Sequence, residues 1–143
     1  MRTITDWFTA VGAIVAAIST VLAVFQLWAM KVQTYLDFED SLNSEYRAII
    51  VTLPPSAFFD EELSEAEIQK YRGAFYRYFD FCNEQVYLHS KHRVRPDTWD
   101  EWTLGMTSNF NRRSFKSAWR YCYKECKDLK SLKARYPIEE LDR

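Results

Sequence analysis

The chain has 143 residues, of which 48% are hydrophobic, 17% aromatic and 27% charged, with only 3 Gly and 4 Pro and a net charge of −1. So few turn residues favour long helices, and there is no internal repeat or low-complexity tract to suggest a solenoid or a linker. Three cysteines, Cys82, Cys122 and Cys126, leave one unpaired in any disulfide scheme, which suits a reducing compartment better than a secreted one.

The stretch from Trp7 to Met30 holds 24 residues without a charged side chain. As a helix it would reach about 36 Å, enough to cross a hydrocarbon core of about 30 Å with some tilt. Trp7, Phe8 and Trp28 stand at its ends, where amphipathic rings favour the water–lipid boundary. A cleaved signal peptide would have a shorter apolar core and a small-residue exit, and an interfacial helix would need a charged face. The stretch therefore predicts a single transmembrane anchor over residues 1–30, with about 110 residues left for one compact domain. Small residues Gly12, Ala16, Ser19, Thr20 and Ala23 recur three and four apart, so a second helix could approach that face closely. With one span per chain, any membrane assembly is a homo-oligomer. The flanking charges say little about orientation. Arg2 stands on one side, and Lys31 on the other is followed by Asp37, Glu39 and Asp40. The cysteines place the C-terminal domain, residues 31–143, in the cytoplasm.

No breaker separates Met30 from Leu53, and apolar residues from Val32 to Ile50 keep helical spacing, so the span is expected to run on as one helix until Pro54-Pro55. Ser56 to Leu63 reads as an acidic loop. Ser64 and Glu67 form a capping box that opens a second helix. Ile68, Tyr71, Phe75, Phe79, Cys82, Val86 and His89 make one stripe of it, and further aromatics widen that stripe, as expected of the central helix of a bundle. Its polar strip holds Arg77, Asp80 and Glu84. After a polar connection, Pro96 opens a third helix, with Asp97, Asp100 and Glu101 in its first turns and Trp99, Trp102 and Met106 on its buried side. Asn109 to Asn111 ends it. The last long helix has Phe115, Ala118, Trp119, Cys122, Cys126 and Leu129 on one face. Residues 135–143 read as a loosely docked tail. The expected fold class is all-α, one N-terminal transmembrane helix continuing into a small cytoplasmic helical bundle.

Net charge hides an asymmetry. Residues 31–90 carry 5 Lys/Arg against 11 Asp/Glu, a balance of −6, and residues 91–135 carry 12 against 5, a balance of +7. On the last long helix the basic residues Arg113, Lys116, Arg120, Lys124 and Lys127 fall opposite the apolar face. A solvated face or internal pairing of acidic and basic helices is the simplest use of this pattern. The sharper use is an anion contact, with Arg112-Arg113 as its centre and RNA, a nucleotide messenger or lipid headgroups as the partner. Aromatics interleaved on the charged face, which single-strand binding would want, are missing.

No catalytic constellation emerges. There is no Gly-rich phosphate loop, Gly-x-Ser-x-Gly or His-Glu-x-x-His motif. A metal set can be drawn from His89, Cys82, Cys122 and Cys126, but the spacings match no familiar zinc pattern and the cysteines lie on apolar faces. Neither His89 nor His92 has an Arg four to six residues before it, the pair a small helical ribonuclease would need. No cofactor is expected.

The run from Phe75 to Leu88 (FYRYFDFCNEQVYL), then Trp99 to Met106 (WDEWTLGM), Phe110, and Phe115 to Trp119 (FKSAW), resembles small bacterial membrane-anchored helical proteins of unknown function, some beside phage-defence genes. The layout is also similar to membrane accessory proteins of RNA-targeting CRISPR systems. The resemblance implies a non-enzymatic, oligomeric inner-membrane effector of antiviral defence that acts on membrane integrity. Two alternatives stand beside it: a membrane-anchored sensor whose basic half binds RNA or a cyclic oligonucleotide, and a tether for a larger protein complex.

Overall fold

The computed structural model describes residues 3–59 and 61–141. Arg2, expected to flank the span, lies outside the described residues, as do Asp60 of the expected loop and residues 142–143 of the expected tail. The described residues form helices and no strand: α1 (Ile4–Ile50), α2 (Glu65–Ser90), α3 (Pro96–Phe110), α4 (Arg113–Glu125), α5 (Lys130–Arg135) and α6 (Ile138–Leu141), with a 3₁₀ turn at Pro55–Phe58. The chain divides between Ser41 and Leu42 into two compact units, later than the end of the apolar stretch at Met30.

The first unit is helix throughout its described residues after Thr3. Thr9 and Thr20 donate their hydroxyls to the carbonyls of Thr5 and Ala16, each at 2.9 Å, so the helix itself satisfies these two groups. Twelve bulky side chains from Trp7 to Trp28 keep between 53% and 75% of their surface exposed.

In the second unit, Leu42 and Ile49 are buried ahead of the stop that Pro54 and Pro55 impose. The expected loop beyond them contains a 3₁₀ turn, because Pro55 fixes its first φ and Ala57 is fully buried there. Ser114 at the start of α4 donates its hydroxyl to the Ala57 carbonyl at 2.9 Å, which ties the turn down. The capping box of α2 is present in both directions: the Ser64 side chain accepts from the Glu67 N–H, and the Glu67 carboxylate accepts from the Ser64 N–H at 2.9 Å. At the other end of α2, the Arg93 N–H donates to Leu88 and the His92 N–H to His89, the two bonds of a Schellman motif. His92 takes the left-handed position, at φ 54°, where glycine is favoured.

α2 is central. Its Phe79 lies 4.9 Å from Trp119 of α4 and 5.6 Å from Phe110 of α3, centroid to centroid. Phe115 of α4 meets Phe75 and Tyr78 edge-on at 5.4 and 5.1 Å. The structure corrects the expected last helix: α4 stops at Glu125, because Cys126 turns extended (φ −93°, ψ 122°). The Cys126 carbonyl accepts from the Lys133 ammonium, Asp128 accepts from the Tyr76 hydroxyl at 2.8 Å, and Asn83 accepts from the Leu132 N–H at 3.0 Å. The turn thus has its polar groups met and still buries Leu129 and Leu132 completely. The tail is not loose at Tyr136. Its ring stacks on Phe110 at 4.3 Å, and its carbonyl accepts from the Trp119 indole at 3.1 Å.

Phe79→Ala is expected to cost about 3–5 kcal/mol in denaturant unfolding of the detergent-solubilised chain. His92→Gly is expected to stabilise by about 0.5–1 kcal/mol, since it relieves the left-handed side chain. Loss of stability in the glycine variant would show that the φ of His92 carries no strain.

Candidate functional site

The residues expected to matter fall in three places. Gly12, Ala16, Ser19, Thr20 and Ala23 lie on one exposed face of α1, and nothing stands within 4 Å of where a Gly12 side chain would be. The Thr20 hydroxyl is already committed to its own helix.

The basic group is less uniform than its spacing implied. Arg113, Lys116, Arg120 and Lys124 share a face of α4, while Lys127 lies beyond the helix end. Arg112 turns inward. Its guanidinium donates to the Asn109 side-chain oxygen at 3.0 Å and sits 5.5 Å from the centre of the Phe58 ring. Asn109 in turn donates its amide to the Tyr78 hydroxyl at 2.9 Å, and Tyr78 hydrogen-bonds the Cys82 thiol. A chain of donors therefore runs from a half-buried arginine into the aromatic core and ends on a buried sulfur.

The cysteines do not gather into a metal set. Cys82 belongs to the Tyr78 chain, and Cys122 hydrogen-bonds Cys126 one turn on. His89 stacks on Trp99, with centroids 4.0 Å apart and planes within 6°, and Arg135 lies 5.0 Å from the centre of the same indole. Among the described residues no three metal-binding side chains come together. Burial pushes the Cys82 thiol up to about 12, and burial beside Cys126 does the same to Cys122. The Tyr78 hydroxyl is also raised well above its ordinary value, chiefly by burial. These thiols are protonated, poor nucleophiles at neutral pH.

The sequence did not single out one cavity lined by both polar and aromatic side chains. A cavity of about 240 Å³ opens in the second unit between the Asn43–Tyr46 turn of α1, α2 and α3. Tyr46, Cys82, Gln85, Glu101 and Trp102 line it. Gln85 keeps 5% of its surface, and no buried side-chain nitrogen or oxygen among the described residues is left without a partner. The signal was present. Gln85 is a carboxamide on the apolar side of α2, three residues after Cys82, where a hydrophobe was due.

No family model, curated protein or solved structure matches this chain. The site is therefore read from its own chemistry: a carboxamide, a carboxylate and aromatic walls, with no nucleophile poised for attack.

At pH 8 one thiol, Cys126, is expected to react quickly with a disulfide reagent, against three after denaturation. Two fast thiols in the native chain would overturn the burial argument. The raised Tyr78, Cys82 and Cys122 favour their neutral forms in the folded state. Their stabilisation is complete below the ordinary values of 9.0 and 10.0 and is lost as pH rises toward about 12. Thermal midpoints are expected to fall across that window and to stay level between pH 7 and 9.

Proposed function

We propose that this chain is a single-pass inner-membrane protein, its helical domain in the cytoplasm, that works as an oligomeric effector on the membrane itself. The observation that carries the reading is the N-terminal part of α1, a helix with a mean hydropathy of 2.3 over its best 18-residue window and none of that window buried. The twelve bulky side chains there would each gain about 1.5–3 kcal/mol on leaving water, on the order of 20 kcal/mol together. That exceeds the 5–15 kcal/mol by which a whole domain is ordinarily stable, so lipid is the solvent that fits. Free thiols at Cys82, Cys122 and Cys126 support a cytoplasmic domain.

Association is argued from the two sides of the span. Val11, Ile14, Val15, Ile18, Leu22 and Phe25 fill one side, and Gly12, Ala16, Ser19, Thr20 and Ala23 the other. A small-residue face lets backbones approach, and close packing between helices replaces the hydrophobic drive that lipid removes. The effector acts through its assembly rather than through chemistry of its own, and antiviral defence is the setting that the sequence resemblance implies. A tether for a larger complex is the competing reading.

The protein is expected to stay in the pellet after alkaline carbonate washing of membranes. Its mass in mild detergent is expected to be a multiple of the monomer, and Gly12→Leu with Ala16→Leu should shift it to monomer. Overexpression is expected to collapse the membrane potential in the parent but not in the double variant. A carbonate-soluble chain would remove the span, and a monomer at every concentration would remove the effector assembly. Co-purified partners with an intact potential would select the tether.

A further inference from the structure

We infer that the groove between the end of α1 and α2 receives the basic face of α4 from a second copy of this chain, so that neighbouring domains meet head to tail. The inference rests on the proposed assembly for its partner, but the contact uses none of the residues of the span.

The groove, of about 390 Å³, lies wholly within the second unit. Ile49 and Phe81, both buried, form its floor, and Tyr46 of α1 packs on the Phe81 ring with centroids 6.1 Å apart, which holds the two helices together. Its rim is charged. Glu45 stands on α1, and Arg77, Asp80 and Glu84 stand on α2, all exposed. Three carboxylates thus face one guanidinium, and none of the four forms an ion pair among the described residues. Lys116 and Lys124, on the basic face of α4, are likewise without an ion pair among the described residues. The acidic strip of α2 and the basic stripe of α4 do not neutralise each other inside one chain.

Their placement explains why. Phe75 and Phe79 turn toward Phe115 and Trp119 of α4, and at about 100° per residue Asp80 and Glu84 turn away from it. Lys116 and Lys124 lie on the far side of α4 from the buried Phe115, Ala118 and Cys122. The two charged faces look outward in different directions, so a chain cannot close the contact on itself, while one copy can offer its α4 to the groove of the next. The spacing agrees. Packed helix axes lie about 8–10 Å apart, and two turns of α4 set Lys116 and Lys124 about 12 Å apart, so a copy crossing the groove brings one ammonium to each wall. The lysine stems then cover the apolar floor. An anionic ligand on α4 would leave the groove's carboxylates unmatched, whereas a second copy answers both faces with one contact. Exposed ion pairs are individually weak, but a span that keeps copies in one bilayer raises their effective concentration, so a modest contact suffices.

The test is carbodiimide coupling of the full-length chain in a mild uncharged detergent, with isotope-labelled and unlabelled chains mixed so that mass tells inter-chain links from intra-chain ones. Amide links are expected between chains, from Asp80 or Glu84 to Lys116 or Lys124, and are expected to fall about fivefold in about 1 M salt. Asp80→Lys with Glu84→Lys, and separately Lys116→Glu with Lys124→Glu, reverse outward-facing charges, and each pair is expected to lower the links about tenfold. An equal mixture of the two variants is expected to regain them. Failure of the mixture to do so, links within one chain only, or full yield after charge reversal would each overturn the contact. A multimer without these links would overturn it and leave the span assembly standing. Links at raised concentration in a chain that carbonate extracts from membranes would keep the contact and remove the span. Anionic vesicles that shield Lys116 and Lys124 from acetylation while no inter-chain link forms would give that face to lipid headgroups and overturn the contact.

Discussion

The contact between Phe79 and Trp119 is the hinge of the second unit's stability. At 4.9 Å it joins the central helix to α4, and each of the two rings also packs on Phe110 of α3. Offset and edge-on pairs of this kind add about 0.5–1.5 kcal/mol beyond the area they bury. That adds to what the buried leucines, isoleucine and valine of the same core contribute by area alone. Trp119 also has a polar end. Its indole N–H holds the Tyr136 carbonyl, so the same side chain that closes the core fixes the last turn of chain against it. Tyr136 then covers Phe110, and the helices of the domain meet around one aromatic cluster.

Threaded through that cluster is a line of polar groups, Arg112, Asn109, Tyr78 and Cys82. Each is satisfied by the next, so the line can pass through a low-dielectric interior without an orphaned donor. It has a consequence for charge. The arginine expected to centre an anion contact is held inward by Asn109 and Phe58, so the excess positive charge of residues 91–135 is not one outward patch. A basic count read along a sequence records side chains that face water and side chains that serve the interior alike.

What could be read directly from the residues was local. The uncharged run, the Ser64–Glu67 box and Pro96 at a first helical turn each act within four residues, and each stands where the sequence put it. The break at Cys126 was not legible. The spacing of Cys122, Cys126 and Leu129 is equally well served by a continued helix or by a turn that rotates Leu129 into the core. The turn prevails because Lys133, Tyr76 and Asn83, all distant in sequence, meet its polar groups. Tyr136 was misread for the same reason, since its partners lie 17 and 26 residues upstream. Gln85 could have been flagged as a polar residue on an apolar face. That it lines a cavity depends on α1 and α3, and no local pattern reports that.

The two units solve one problem in two ways. An average hydropathy of −0.37 describes neither of them. The second unit withdraws its aromatics from water by packing them on each other, and it leaves no buried side-chain nitrogen or oxygen among the described residues without a partner. The first unit has no partner helix of its own, so its bulky side chains can be relieved only by a change of solvent or by other copies. In lipid those side chains need no protein partner, and only the small-residue face still gains from one, because backbone proximity rather than apolar area is what lipid does not supply. Assembly in the membrane and packing of the domain then rest on different residues. Substitutions at Gly12 or Ala16 act on the first and leave the core intact, while substitutions at Phe79 act on the second and leave the span untouched.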